Sequence, residues 1–243
     1  MTVVLESCTY AYGRRRRPVL RDLDFRLPDG LTILLGPNGA GKSTLLRLAA
    51  AVAPPCRGTV TLDGASARTR EYRRAVAWMP QTITPLPSLT VREYVAYVGW
   101  LKGMDRRGAW ERAPRALDRV EIGELSEERT DRLSGGQLRR VGVACALVHE
   151  ARVMLLDEPT AGMDPRQRRV FRDLLAGLKR DVRILMSTHD VADLAEEADH
   201  VSVLAAGRLV LNGSTADFLA HTPAGTAEGR SAEGAYTALL ESV

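Results

Sequence analysis

Residues 31–44 read "LTILLGPNGAGKST", and this stretch decides the fold. "LTILL" is a continuous apolar run, the pattern of a strand buried on both faces. Gly36–Ser43 then spells G-x-x-x-x-G-K-S. In that string the glycines let backbone N–H groups close around phosphate oxygens. Lys42 reaches the β- and γ-phosphates, and the Ser43 hydroxyl is suited to Mg2+. The same letters elsewhere would be a plain glycine turn. Here they follow a buried strand and precede "LLRLAAAVA", a helical stretch expected to run to Pro54 and Pro55, and that context makes a phosphate site. Its members are Gly36, Pro37, Asn38, Gly39, Ala40, Gly41, Lys42, Ser43 and Thr44.

Outward from this loop, residues 2–10 and 18–27 alternate partly between apolar and polar, as half-buried strands do. "YGRRRRP" reads as the hairpin turn between them, its Arg14–Arg17 run a solvated feature. "GTVTLDG" and "AVAWMPQ" are short strands. From Gln81 to Glu150 the texture turns helical, in "LTVREYVAYVGWLKG", "RGAWERAPRALDRV" and "QLRRVGVACALVHE". This predicts a helical subdomain over 82–149 inserted into an α/β core of 1–81 and 150–221. The core resumes with "VMLLDE", a helix over 165–179, "VRILMSTHD", a helix in "VADLAEEA", and two strands turning at Ala206-Gly207. Alternating strands and helices predict a parallel sheet covered on both faces. Residues 222–243 are expected to form a mobile tail with a short helix in "AYTALLESV".

Two further stretches carry chemistry. "VMLLDEP", residues 153–159, is an apolar strand ending in carboxylates. Asp157 fits a Mg2+ ligand, and Glu158 fits a general base for an attacking water. "RLSGGQLRR", residues 132–140, puts a serine and glycines directly before a helix. Bare N–H groups at a helix start attract anions. This second anion site has no lysine of its own.

"GPNGAGKST", "LSGGQ" and "LLDEPTAGMDP" together resemble the nucleotide-binding subunit of an ABC transporter, in the family's order and spacing, to about His221. The resemblance implies an α/β fold: a P-loop NTPase (RecA-like) parallel sheet with an antiparallel β-subdomain and the inserted helical subdomain. It implies ATP and Mg2+ as cofactors and ATP hydrolysis coupled to transport. By the family's pattern, Tyr12 stacks on adenine, with Tyr10 the weaker alternative. Gln81 senses the γ-phosphate and Mg2+ beside the transmembrane contact. Ser134, Gly135, Gly136 and Gln137 cover a nucleotide held by a second subunit, and Asp164 communicates between subunits. His189 contacts the γ-phosphate and joins Lys42, Gln81 and Glu158 as catalytic residues. Ser43, Asp157 and Gln81 surround the metal. Ala161 and Met163 depart mildly from the family's usual serine and leucine.

The partners implied are transmembrane permease subunits and a second ATPase subunit, expected as a homodimer, at the cytoplasmic face of the membrane. Ile83, Leu86 and Leu89 are expected to form the groove for the permease. The helix after Gln81 and "AEGAYTALLE" resemble exporters of the drug, antibiotic and polysaccharide type, so export is the expected direction and import the alternative. A soluble ABC ATPase normally needs two cassettes or long coiled coils, and a GTPase needs an "NKxD"-type segment; none is present.

Composition agrees. The 243 residues are 45% hydrophobic and 26% charged, with a net charge of +4. Basic residues are spread along the chain, which gives no sign of a nucleic-acid partner. Only Lys42, Lys102 and Lys179 are lysines among the 34 basic residues. Cys8, Cys56 and Cys145 are unpatterned and predict free thiols in a reducing compartment. No apolar stretch is long enough to span a bilayer, so another chain is expected to supply the spanning helices.

Overall fold

A computed structural model describes residues 2–13, 17–191, 198–227 and 229–241. Two readings fall largely outside these: the 14–17 turn and the "VADLAEEA" helix. The chain runs β1 (Val3–Tyr10), β2 (Leu20–Arg26), β3 (Leu31–Leu35), α1 (Lys42–Ala49), β4 (Arg57–Leu62), β5 (Ala65–Ser66), α2 (Arg70–Ala75) and β6 (Val76–Met79). The helical insertion follows as α3 (Val91–Leu101), α4 (Arg106–Asp118) and α5 (Gly135–Leu147). Then come β7 (Val153–Asp157), α6 (Pro165–Leu178), β8 (Arg183–Thr188), β9 (His200–Ala205), β10 (Arg208–Ser214), α7 (Thr215–Leu219) and α8 (Ser231–Glu241).

One sheet has the order β10-β9-β3-β8-β7-β6, and the other β2-β1-β4-β5. In the first, β9, β3, β8, β7 and β6 are mutually parallel and β10 is an antiparallel edge. The second is antiparallel throughout. The apolar runs now explain themselves. Side chains alternate across a strand, and both faces are buried. Leu31, Ile33, Leu35, Met154, Leu156, Ile184 and Met186 face a core shared with α3–α6. Leu34, Val153, Leu155 and Leu185 face the opposite core, which contains Leu45 and Leu46 of α1 and Leu5, Phe25 and Val60 of the antiparallel sheet. Each such side chain contributes roughly 1.5–3 kcal/mol when fully buried.

The helical insertion is built from strong local signals. Thr90 caps α3 in a capping box with Glu93, and Asp105 caps α4. Pro114 lies inside α4 and has no N–H for the Trp110 carbonyl one turn earlier. The Arg92 guanidinium donates to that carbonyl at 3.5 Å and stacks 3.8 Å over the Trp110 ring.

Two boundaries differ from the sequence reading. Helix α1 stops at Ala49, ahead of the prolines, because Ala51 turns left-handed (φ 56°) and the N–H of Val52 bonds back to the Arg47 carbonyl. The short helix expected in "AYTALLESV" begins earlier in the chain. Helix α8 starts at Ser231 and buries Ala235 and Leu239 in the larger core.

Candidate functional site

The phosphate loop leaves β3 at Gly36, where a side chain is excluded because its Cβ would lie 2.3 Å from the Leu204 carbonyl oxygen. Gly41 sits at φ 109° and starts α1, and no side chain caps that helix. Its first-turn N–H groups therefore have no intrahelical partner and face outward for an anion. Lys42 is 5% exposed, and its ammonium donates to the carbonyls of Gly36 (2.6 Å) and Pro37 (3.3 Å). Burial lowers its pKa, and the nearby Glu158 and Asp157 charges act in the opposite sense.

Strand β7 delivers the carboxylates. Asp157 lies opposite Ser187 in the parallel register of β7 and β8. The Ser187 hydroxyl donates to Asp157 Oδ1 at 2.8 Å, and the Ser43 hydroxyl donates to the same oxygen at 3.0 Å. A buried carboxylate and a hydroxyl so close suit a small hard cation. Among the described residues no cluster of three or more His, Cys, Asp or Glu could hold a metal alone. Mg2+ characteristically takes one or two protein oxygens and fills its shell with water and substrate phosphate, so this donor set fits it.

Glu158 adopts φ 44°, a left-handed conformation, and its N–H donates to Ser187 Oγ at 3.0 Å. Glu158 Oε2 accepts from Gln81 Nε2 at 3.4 Å and lies 3.4 Å from His189 Nδ1. Gln81 follows β6, and His189 follows β8. Lys42, Asp157, Glu158, Gln81 and His189 thus converge from the C-terminal ends of neighbouring strands β3, β8, β7 and β6. Ligands of open parallel sheets bind at that edge.

Tyr12 stands beside the loop. Its hydroxyl shares a 2.9 Å hydrogen bond with Thr44 Oγ1, and its half-exposed ring packs edge-on to Tyr10 at 5.1 Å.

The signature stretch lies elsewhere. Ser134 caps α5 and exchanges bonds with Gln137, a full capping box. Asp164 caps α6 by accepting from the Gln167 N–H at 2.8 Å. The two helix starts open on one cleft of about 480 Å3, lined by Ser134, Gly136, Gln137, Asp164 and Gln167. No phosphate-loop residue lines it. The Arg139 side chain donates to the Ala161 carbonyl at 2.6 Å and ties α5 to the segment after Glu158.

Three contributors escaped the sequence reading: Ser187, Gln167 and Arg139. A serine directly after the apolar run "ILM" of β8 was the one available signal for Ser187. Ile83, Leu86 and Leu89 are half-buried, with Ile83 packed on the larger core. The exposed large apolar side chains of the insertion are Tyr97, Trp100, Leu101 and Trp110 on α3 and α4.

The family description "ABC transporter" matches residues 20–161. The chain belongs to the ABC transporter family. It is the ATP-binding cassette of that family, a P-loop ATPase fold. It is 36% identical over 212 residues to the molybdate/tungstate import ATP-binding protein WtpC of Archaeoglobus fulgidus, covering 82% of this chain and 88% of that one. It is 34% identical over 217 residues to the Nod factor export ATP-binding protein I of Sinorhizobium fredii, covering 88% and 63%. It is 35% identical over 214 residues to the human phospholipid-transporting ATPase ABCA3, covering 86% of this chain but 12% of that longer protein. The cassette spans about an eighth of such relatives. The solved structure of cbiO1 from Clostridium perfringens, part of the ABC transporter complex cbiONQ, superposes with a TM-score of 0.78 at 27% identity over 90% of each chain. Relatives named for import and for export both occur. Among the described residues no helix is long and apolar enough to cross a membrane.

Proposed function

We propose that this cassette hydrolyses MgATP at an interface between two ATPase subunits and drives transport through partner membrane-spanning subunits. The observation that carries the reading is the separation of two half-sites. Lys42, Asp157 and Glu158 gather at one strand edge, whereas Ser134, Gly136 and Asp164 line a cleft that the phosphate loop does not enter. The helix start at Ser134–Gly136 has N–H groups and a positive dipole end but no cation. It suits the γ-phosphate of a nucleotide held by the other subunit, and a second copy of this chain is the partner that supplies both halves symmetrically.

In this reading Tyr12 supports the adenine, and the N–H groups and side chains of Pro37–Thr44 hold the phosphates. Ser43 and Asp157, with Gln81 nearby, hold Mg2+, which neutralises phosphate charge when bound. Glu158 takes the proton of the attacking water, and His189 keeps hold of the γ-phosphate. ATP favours the closed pair by as much as it binds that state better than the open one. The permease contacts the Gln81 loop and the exposed α3–α4 face with Trp100 and Leu101, at the cytoplasmic side of the membrane. We propose export as the direction, supported by the likeness of "LTVREYVAYVGWLKG" to exporter cassettes.

Ser134→Arg tests the shared site. Turnover should be lost while ATP binding to the isolated monomer, measured by calorimetry, stays intact. Loss of monomer binding would mean that the signature serves its own chain's nucleotide.

A further inference from the structure

The segment from Glu158 to Asp164 folds as two tight turns. The Ala161 N–H donates to the Glu158 carbonyl at 3.2 Å, and the Met163 N–H donates to the Thr160 carbonyl at 3.1 Å. Gly162, at φ 74°, reverses the chain, and Met163 is buried in the larger core. Glu158 is therefore held on both sides of its residue: its N–H by Ser187 Oγ and its carbonyl by Ala161.

Arg139 meets this segment from the signature helix. Gly136 and Arg139 are three residues apart on α5 and share a face. Gly136 lies against α6, where an added Cβ would stand 3.1 Å from Gln167 Oε1. The half-buried Arg139 donates from Nη2 to the Ala161 carbonyl at 2.6 Å. Its Nη1 lies beside Gly135, 3.5 Å from where a Cβ there would stand. One planar group thus bridges a signature glycine and the turn that follows Glu158. The Arg139 Nε is closed off from solvent and has no hydrogen-bond partner. This guanidinium is already partly withdrawn from water, which makes its bond to Ala161 costly to lose. The neighbouring Arg140 points elsewhere and donates to the Glu121 carbonyl at 3.1 Å.

We propose that Arg139 is a positioning residue: it locks each chain's signature helix to the turn behind that chain's own Glu158, and so couples the two nucleotide sites of a pair. The inference rests on the shared site proposed above. There the signature of one chain closes on the nucleotide held by the other, while Glu158 acts on the nucleotide of its own chain. Seating the signature fixes α5 and Arg139. Arg139 fixes the Ala161 peptide, whose N–H holds the Glu158 carbonyl. A chain's base is then fully in place only when its own signature is engaged.

The test measures steady-state ATP hydrolysis by the full chain against ATP concentration. Wild type should show a Hill coefficient above one, as coupled sites do. Arg139→Met keeps most of the stem and removes the donors. Its kcat should fall roughly 10–100-fold with KM little changed, and its Hill coefficient should drop to about one. Arg139→Lys, which can still donate to the Ala161 carbonyl, should recover most of both. A merely structural role lowers kcat through the fraction of folded chain and leaves the Hill coefficient where it was. Arg139→Ala, also without a donor, replaces the methionine variant if that one does not melt cooperatively. A wild type without cooperativity, or a donor-free variant with kcat or Hill coefficient unchanged, would overturn the proposal. Gel filtration of Glu158→Gln with ATP separates its failure from that of the shared site. A dimer that persists when Arg139→Met is added leaves the shared site standing whatever the kinetics show. A dimer lost only with Arg139→Met would assign Arg139 to closure and overturn the positioning role. No dimer in Glu158→Gln itself removes the shared site and this inference with it.

Discussion

Ser187→Ala removes one hydroxyl at a position with no solvent exposure. That hydroxyl donates to Asp157 Oδ1 and accepts the Glu158 N–H. Losing a hydrogen bond to a buried carboxylate costs about 1.5–3 kcal/mol, and leaving a buried N–H without an acceptor costs about 1–3 kcal/mol. The two losses share one atom and do not simply add, so the expected destabilisation is about 2–4 kcal/mol. For a chain of this size that lowers Tm by roughly 4–16 °C. The Glu158 turn at φ 44° also loses a bond that holds it. Its carboxylate should drift from Gln81 and His189 and lower kcat roughly tenfold or more, with the KM for ATP little changed. Differential scanning calorimetry and a phosphate-release assay measure both effects. A variant with Tm within one degree or so of wild type and an undiminished kcat would refute the role assigned to Ser187.

Glu158→Gln should preserve ATP binding, slow hydrolysis by about 10²–10⁴-fold and trap a closed dimer in gel filtration with ATP; wild-type turnover would remove Glu158 as the base. Trp100→Glu with Leu101→Glu should abolish transport in proteoliposomes with the partner subunits yet spare basal ATPase activity, and transport at the wild-type level would take this face out of the permease contact. Burial, together with Lys102 and Arg74, lowers the His149 pKa to about 4 from 6.5. The folded value lies below the unfolded one, so the neutral ring's contribution is complete above pH 6.5 and is lost as pH falls toward 4. His149→Gln should flatten this part of the acid limb by up to roughly 2–3 kcal/mol in urea titrations, and an acid limb identical to wild type would contradict the buried neutral ring.

Much of the site was legible because its residues sit in contiguous strings. A phosphate loop needs glycines and a lysine at fixed offsets along one turn, so Gly36–Thr44 could be read letter by letter. Asp157 and Glu158 were legible because an apolar strand ending in acids has few other uses beside such a loop. Ser187 was not, because its importance depends on the register that sets it opposite Asp157. That Tyr97, Trp100, Leu101 and Trp110 stay exposed while Ile83, Leu86 and Leu89 are half-buried was not legible, because hydrophobicity does not tell which side chains a loop folds under. The docking of α8 was hidden for a related reason. Ala235 and Leu239 are ordinary helix residues until α7 and β9 are brought beside them.

The sequence by itself determined the buried strands, the helix starts and the phosphate loop. Each of these is a local matter of apolar periodicity, capping side chains and glycine backbone freedom. Only the tertiary structure decided that β3, β8, β7 and β6 lie side by side and parallel. That order brings Lys42, Gln81, Asp157, Glu158 and His189 to one edge while Ser134 and Asp164 share a separate cleft. Strand order is set by which apolar faces bury one another across the sheet, a long-range choice that no stretch of the chain carries alone.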